Sequence, residues 1–323
     1  MTSRQLDQVE TKPTIEISVV IPTFNRYHQL RRALECLAQS NFPRSKFEVI
    51  VVDDGGSQPI TDLLDTFSQQ LNVSLLRQSN QGAAAARNYG TTHARGRFVV
   101  FTDDDCMPDA HWLSSLAQAL AQYPDCAIGG RTINSLEKNL YAVASQLLID
   151  YLYAFHAIDA DRVAFLAGNH LACARSKFDD LGGFDSSFTL SAAEDRDFCL
   201  RWITAGNSLR LLNNARLYHA HDLSLPGFVR QHFNYGRGAF NFHLRESQIR
   251  TAPIRVAPLN FYLALVRYPF FLSQKNACRL SALLALSQLA NAAGFFYQCA
   301  INLQLDGKRA AATLPPLSAA AEP

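Results

Sequence analysis

Four times in the first half of the chain, a short apolar run ends in a polar loop and gives way to a helical pattern. The runs are Ile17 to Phe24, Phe47 to Val52, Val73 to Leu76 and Arg97 to Phe101. The helical patterns cover Arg26 to Ser40, Ile60 to Gln70, Gly82 to Ala94 and Ala110 to Gln122. Near-continuous β-branched runs fit strands covered on both faces, and strand–helix alternation fits right-handed crossovers. The rhythm therefore predicts an α/β fold, a doubly wound and mostly parallel sheet flanked by helices. In such sheets ligands bind beyond the carboxyl ends of the strands. Pro22-Thr23-Phe24-Asn25, Asp53-Asp54-Gly55-Gly56 and Asp103-Asp104-Asp105 all fall at those ends.

Composition sets the bounds. The chain has 323 residues, 48% hydrophobic and 18% charged, enough for a large core. A formal net charge of +2, with no long basic run, points away from nucleic acid as a partner. Seven cysteines, widely spaced and with no Cys-x-x-Cys pair, argue against a disulfide framework or structural zinc and for a reducing compartment. Cys106, beside the acidic run, reads as a buried bystander thiol rather than a ligand or nucleophile. Residues 1–14 read as a polar, flexible arm. Residues 15–250 form the expected main domain, with halves at 15–130 and 131–250. A helical apolar extension follows over 251–305, and an Ala- and Pro-rich tail, expected to be disordered, over 306–323.

Three adjacent carboxylates repel one another, so either a proton or a cation compensates them. In alternate-residue geometry Asp103 and Asp105 share one side while Asp104 points away. Such oxygens suit Mg²⁺ or Mn²⁺ together with a ligand's phosphates. A solvated acidic turn ahead of the next helix is the other reading. Asp53 or Asp54 can accept hydrogen bonds from a base or ribose, and Arg87 can reach a diphosphate. Glu194-Asp195 suits a helix N-terminus on dipole grounds alone. His219 and His221 alternate on a strand-like segment and so share a face, as two ligands or as one ligand and one acceptor-side histidine. Arg237, between Gly236 and Gly238, is either a phosphate contact or an ordinary loop arginine.

Seven segments occur in order: SVVIPTFNR from Ser18, VIVVDDGG from Val49, NQGAAAARNYG from Asn80, GRFVVFTDDDCMP from Gly96, GNHLACARS from Gly168, GGFD from Gly182 and EDRDFCLR from Glu194. Together they resemble the family 2 glycosyltransferases, inverting enzymes of the GT-A fold, over most of residues 15–240. The resemblance implies transfer of a sugar from a nucleotide-diphosphate sugar, UDP being the commonest nucleotide, to an acceptor hydroxyl. It implies that Pro22, Thr23, Asn25, Asp53 and Asp54 hold base and ribose, with Arg87 at the diphosphate or base. Asp103 and Asp105 match the metal motif for Mn²⁺ or Mg²⁺, with Asp104 at ribose or donor sugar. Asp195 matches the general base, with Glu194 beside it, and His219 a late histidine that completes the metal shell. Gly168, Asn169, His221 and Arg237 fall on the acceptor side.

Gln231 is followed by His232-Phe233-Asn234 rather than by the Gln-x-x-Arg-Trp of processive members, which favours single-sugar transfer. A non-catalytic nucleotide-sugar-binding protein is the alternative. A nucleotidyltransferase fits less well, because no Gly-rich basic loop follows the first strand. Leu280 to Leu305 carries no charge and is long enough to cross a bilayer. Its scattered Ser, Gln and Asn residues instead favour a packed or interfacial helix. Peripheral membrane contact through 258–305 would put the protein at the cytoplasmic face of the membrane and suit a lipid-linked or cell-envelope saccharide as acceptor.

Overall fold

The computed structural model describes residues 15–188, 192–251, 253 and 257–313, with side chains to Gln304. The expected arm at 1–14 and the end of the expected tail, 314–323, lie outside the described residues; 306–313 continue the last helix. The chain divides into two compact units, the first ending at Asp222 and the second beginning at Leu223.

The first unit is built on an eight-stranded sheet. Its strands are β1 (Ile17–Thr23), β2 (Phe47–Asp53), β3 (Val73–Arg77), β4 (Phe98–Phe101), β5 (Cys106–Pro108), β6 (Cys126–Asn134), β7 (Leu171–Ala174) and β8 (Ser208–His219). The order is β3-β2-β1-β4-β7-β6-β8-β5. β3, β2, β1 and β4 are mutually parallel, as the sequence rhythm predicts. Beyond β4 the sheet is mixed: β7 is antiparallel to both neighbours, β6 and β8 are parallel, and β5 returns antiparallel along β8.

Among the described residues, seven α-helices belong to this unit: α1 (Tyr27–Ala38), α2 (Thr61–Phe67), α3 (Ala83–Thr92), α4 (Trp112–Gln122), α5 (Leu140–Phe155), α6 (Arg175–Asp180) and α7 (Glu194–Thr204). Alternate residues of each strand point to opposite faces, and both faces are covered. Ile17, Val19 and Ile21 pack with Leu30, Leu34, Leu63, Phe67, Trp112 and Leu116 from α1, α2 and α4. Val20, Val52, Val99 and Phe101 pack with Ala86, Phe178, Phe198 and Trp202 from α3, α6 and α7. A polar link inside this core is satisfied: Ser18 Oγ donates to Glu48 at 2.7 Å and accepts from Gly96 N at 2.9 Å.

β1 pairs with β2 on one side and β4 on the other. The strand order therefore reverses next to β1, and the loops after β1, β2 and β4 meet at one edge. That reversal is where doubly wound sheets bind ligands.

The second unit contains α8 (Leu225–Arg250), α9 (Leu259–Phe271) and α10 (Ala277–Thr313). α8 and α10 approach closely at two glycines. A Cβ on Gly236 would lie 1.8 Å from the Asn291 carbonyl oxygen, and one on Gly294 would lie 1.9 Å from that of Phe233. Ala277–Gln304 is long and apolar enough to cross a membrane, by length and composition only.

Candidate active site

β4 stops at Phe101, and Thr102 to Asp105 form a turn closed by Cys106 N donating to the Asp103 carbonyl at 3.2 Å. Because this segment is a turn, strand alternation does not govern its carboxylates. The expectation that Asp103 and Asp105 share a side is corrected accordingly. Asp104 and Asp105 both face Arg26, whose Nη1 lies 3.2 and 2.9 Å from them, while Asp103 turns to Arg87 at 2.7 Å. Thr23 Oγ1, at the end of β1, donates to Asp104 at 2.7 Å.

β5 continues from the turn and pairs with β8 so that Cys106 stands opposite His219. This ladder puts His219 Nε2 3.2 Å from Asp105 Oδ1. His221 stacks beside it with ring centroids 5.0 Å apart, on the face the alternation predicts. Burial disfavours charge on Asp105, but the hydrogen bond and charge of His219 hold its carboxyl down at about 2. Asp104 behaves oppositely: burial, with Asp105 and Asp103 adding to it, pushes its carboxyl up to about 7 against the pull of Arg26 and Thr23. The cluster is short of positive charge.

Asp105, Cys106 and His219 offer ligand atoms within 4.8 Å of one another. A carboxylate oxygen and an imidazole suit a hard or borderline divalent cation. The Cys106 thiol is a softer donor than Mg²⁺ or Mn²⁺ prefers, and burial pushes its pKa well above the ordinary thiol value. Asn169 Oδ1 and Arg87 Nε are buried with no hydrogen-bond partner among the described residues. A charge-poor carboxylate cluster with unpaired polar atoms fits a bound cation and a polar ligand.

The loop after β2 is more structural than its sequence suggests. Asp54 accepts from Gln78 Nε2 at 2.7 Å and from the N–H groups of Gln81 and Gly82 at 2.9 Å each, so it ties down the segment that leads into α3. Asp53 accepts from Gly56 N at 2.8 Å and faces Arg77 at 3.4 Å. Asn25, at a positive φ of 56°, accepts from Ser57 N at 2.7 Å and joins the β1 and β2 loops.

Arg87 sits on α3 and is buried. It spans from Asp103, at 2.7 Å, to Glu194 Oε1, at 3.1 Å. Burial works against its charge, but Asp103, Glu194 and Asp195 more than offset this and raise its pKa. Glu194 is itself pushed up to about 7 by burial and by the charge of Asp195. Asp195 is only partly buried. Its Oδ2 accepts from Gly168 N at 2.9 Å and its Oδ1 from Arg196 N at 2.8 Å, at the N-terminus of α7. Gly168 leaves little room: a Cβ there would meet Arg87 Nη1 at 3.3 Å and Asp195 Cβ at 3.4 Å. Its loop is fixed by Ala167 N donating to the Tyr153 hydroxyl and by Trp112 Nε1 donating to His170 Nε2. Asn169 extends from the same loop toward Cys106, with Nδ2 3.7 Å from the sulfur.

Most of the expected residues thus come together at one sheet edge. Arg237 lies on α8, in the second unit, where its Nε donates to Gln298 at 3.0 Å and its guanidinium covers the Tyr297 ring. The flanking glycines that suggested a phosphate loop form a helix, and Gly236 serves the contact with α10. Arg26, by contrast, was not singled out from the sequence. The usable signal was its place at the end of the first motif, beside the strand that neighbours the acidic turn.

Several known proteins are similar to this chain. The chain is 29% identical over 248 residues to the pre-mycofactocin glycosyltransferase of Mycobacterium tuberculosis strain H37Rv, covering 75% of this chain and 50% of that protein. It is 28% identical over 251 residues to the chondroitin synthase of Escherichia coli, covering 67% and 36%. The chain spans half the length or less of these relatives. Among solved structures, the mannosyltransferase PcManGT from Pyrobaculum calidifontis in complex with GDP-Man and Mn²⁺ matches with a TM-score of 0.59 at 19% identity, covering 96% and 84%. S. aureus TarS 1–349 in complex with UDP-GlcNAc matches with a TM-score of 0.56 at 15% identity, covering 87% and 89%. These likenesses establish the GT-A fold. The profile described as "Glycosyl transferase family 2" matches residues 18–182, a span running from β1 across the acidic turn to the Gly168 loop; the chain belongs to that family.

Proposed function

We propose that this protein transfers a single sugar, with inversion, from a nucleotide-diphosphate sugar to an acceptor hydroxyl. The observation that carries the reading is the meeting, at one sheet edge, of a charge-poor carboxylate cluster and a partly exposed Asp195. The oxygens of Asp195 are aimed by two backbone N–H groups. UDP is the first candidate for the nucleotide; relatives of the same fold carry UDP-GlcNAc and GDP-Man.

Asp103, Asp105 and His219 would hold Mn²⁺ or Mg²⁺, which supplies neutralisation of the charge that grows on the leaving diphosphate. Asp195 accepts the proton of the acceptor hydroxyl as that oxygen attacks the anomeric carbon from the face opposite the diphosphate. Pro22, Thr23, Asn25 and Asp53 line the base and ribose side, and Asp104 meets ribose or donor sugar. Asp54 keeps α3 in place below them. Arg87 holds Asp103 and Glu194 at fixed separation. Gly168, Asn169 and His221 lie toward the acceptor, a saccharide or lipid-linked saccharide. The extension over 258–305 is read as a peripheral membrane contact on the cytoplasmic side.

Calorimetric titration with UDP, GDP and dTDP, each with and without Mn²⁺, tests this reading, with Asp103→Ala/Asp105→Ala as control. Metal-dependent binding of one nucleotide, lost in the control, is expected. Binding of none by folded protein would overturn the donor site. Binding without any transfer or donor hydrolysis would favour the non-catalytic alternative.

A further inference from the structure

The second unit turns a sharp corner between α9 and α10. Leu272 N donates to the Tyr268 carbonyl, Ser273 N to that of Phe270, and Gln274 N to that of Pro269. Ser273 takes a positive φ of 52°, ending α9 as a left-handed cap does. The corner is well hydrogen-bonded, and the two helices share an inner face made of Phe261, Leu265, Leu280 and Leu284. Ser281 Oγ ties them by donating to the Val266 carbonyl at 2.6 Å.

The outer face of the same corner is apolar and exposed. Phe271 is 75% exposed, Phe270 53% and Leu272 45%. Leu259 and Leu263, on the stripe of α9 that ends at Phe270, are 74% and 49% exposed. Around them stand Arg267, Lys275 and Arg279, all exposed. From Ser247 to Leu305 the sequence holds no Asp or Glu, and every charge in that stretch is positive.

We infer that the α9–α10 corner docks this protein on an anionic lipid surface, with Phe270, Phe271 and Leu272 entering the headgroup region and Arg267, Lys275 and Arg279 on lipid phosphates. This rests on the reading of 258–305 as a membrane contact and names the surface that makes it. Aromatic and aliphatic side chains ringed by long cationic ones fit an interfacial helix, because the cations extend back to the headgroups while their stems cover apolar surface. Each cation near an anionic surface strengthens binding roughly fivefold at physiological salt. A second copy is a poorer occupant: a two-fold contact through this corner would set like charges against each other.

The test is co-sedimentation of the full chain with vesicles of phosphatidylcholine alone and of phosphatidylcholine with phosphatidylglycerol. Expected is binding to the anionic vesicles at least tenfold tighter than to the neutral ones, weakened by high salt. Phe270→Ser/Phe271→Ser and Lys275→Glu/Arg279→Glu, each checked for an unchanged circular-dichroism spectrum, should each lower it at least tenfold while nucleotide binding stays the same. Anionic binding insensitive to both pairs would overturn the corner and leave the membrane reading standing. No binding to either vesicle would overturn both. Sedimentation of the lipid-free protein as a dimer that Phe270→Ser/Phe271→Ser dissociates, without vesicle binding, would assign the corner to a second copy.

Discussion

Arg87 donates from Nη1 to Glu194 at 3.1 Å while its Nη2 reaches Asp103 at 2.7 Å, so one buried guanidinium joins the acidic turn after β4 to the start of α7. The two carboxylates belong to different halves of the reaction as proposed, one on the donor side and one beside the base.

Arg87→Met should therefore damage both stability and activity. Removing one member of a buried ionic cluster costs about 3–5 kcal/mol, since the partners are left charged and unpaired. Urea denaturation should show a loss of that order, with kcat/KM falling further than stability accounts for. Arg87→Lys, a point charge without the fork, should restore part of the stability and little of the activity.

Asp195→Asn separates base from scaffold. Its side chain can still accept one of the two backbone N–H groups, so the fold should hold. Loss of a positioned general base lowers turnover by about 10²–10⁴-fold. Initial-rate kinetics should show that fall in kcat, with nucleotide affinity by calorimetry unchanged within twofold.

Asp54→Ala tests the tie between the β2 loop and the segment that leads into α3. The N–H groups of Gln81 and Gly82 would lose their acceptor, and a donor left unsatisfied costs about 1–3 kcal/mol. Thermal unfolding should register it, and nucleotide affinity should drop less than in Asp53→Ala, if Asp54 acts only through α3.

His170 gives a pH signature. Burial pushes its imidazole down to about 3, well below the ordinary histidine value, while its Nε2 accepts from Trp112. The unfolded chain therefore binds a proton that the folded one refuses. The contribution is complete above pH 6.5 and is lost as pH falls from there toward 3, by about 1.4 kcal/mol per pH unit. His170→Gln should be less stable at pH 7.5, from the altered Trp112 contact, yet lose less than the parent between pH 6 and pH 4.5 in urea titrations.

The parallel half of the sheet was legible because each strand is buried on both faces and each crossover carries its own helical period. The return half was less so. β5 and β7 are three and four residues long, too short for any periodicity. The acidic turn was located correctly, but its side-chain directions were not, since alternation applies to strands and Asp103 to Asp105 are not in one. Arg87 and Asp54 look in the sequence like ligand contacts; the structure adds distant partners, Glu194 and Gly82 among them, that no local pattern could supply. Around Arg237 the structure adds what the sequence does not show, that Gly236 marks a place where two helices touch.

Those touching helices carry a consequence for how the chain can drift. Where α8 and α10 meet, Gly236 and Gly294 sit against main-chain oxygens of the opposite helix. Carbonyl groups cannot change to accommodate a newcomer, so no compensating substitution across the contact can rescue a larger residue at either place. Most other positions on the outer sides of the same helices face no such limit. Across descendants, this unit should keep two invariant points of contact within an otherwise fast-changing surface, letting its target diversify while the helices stay in register.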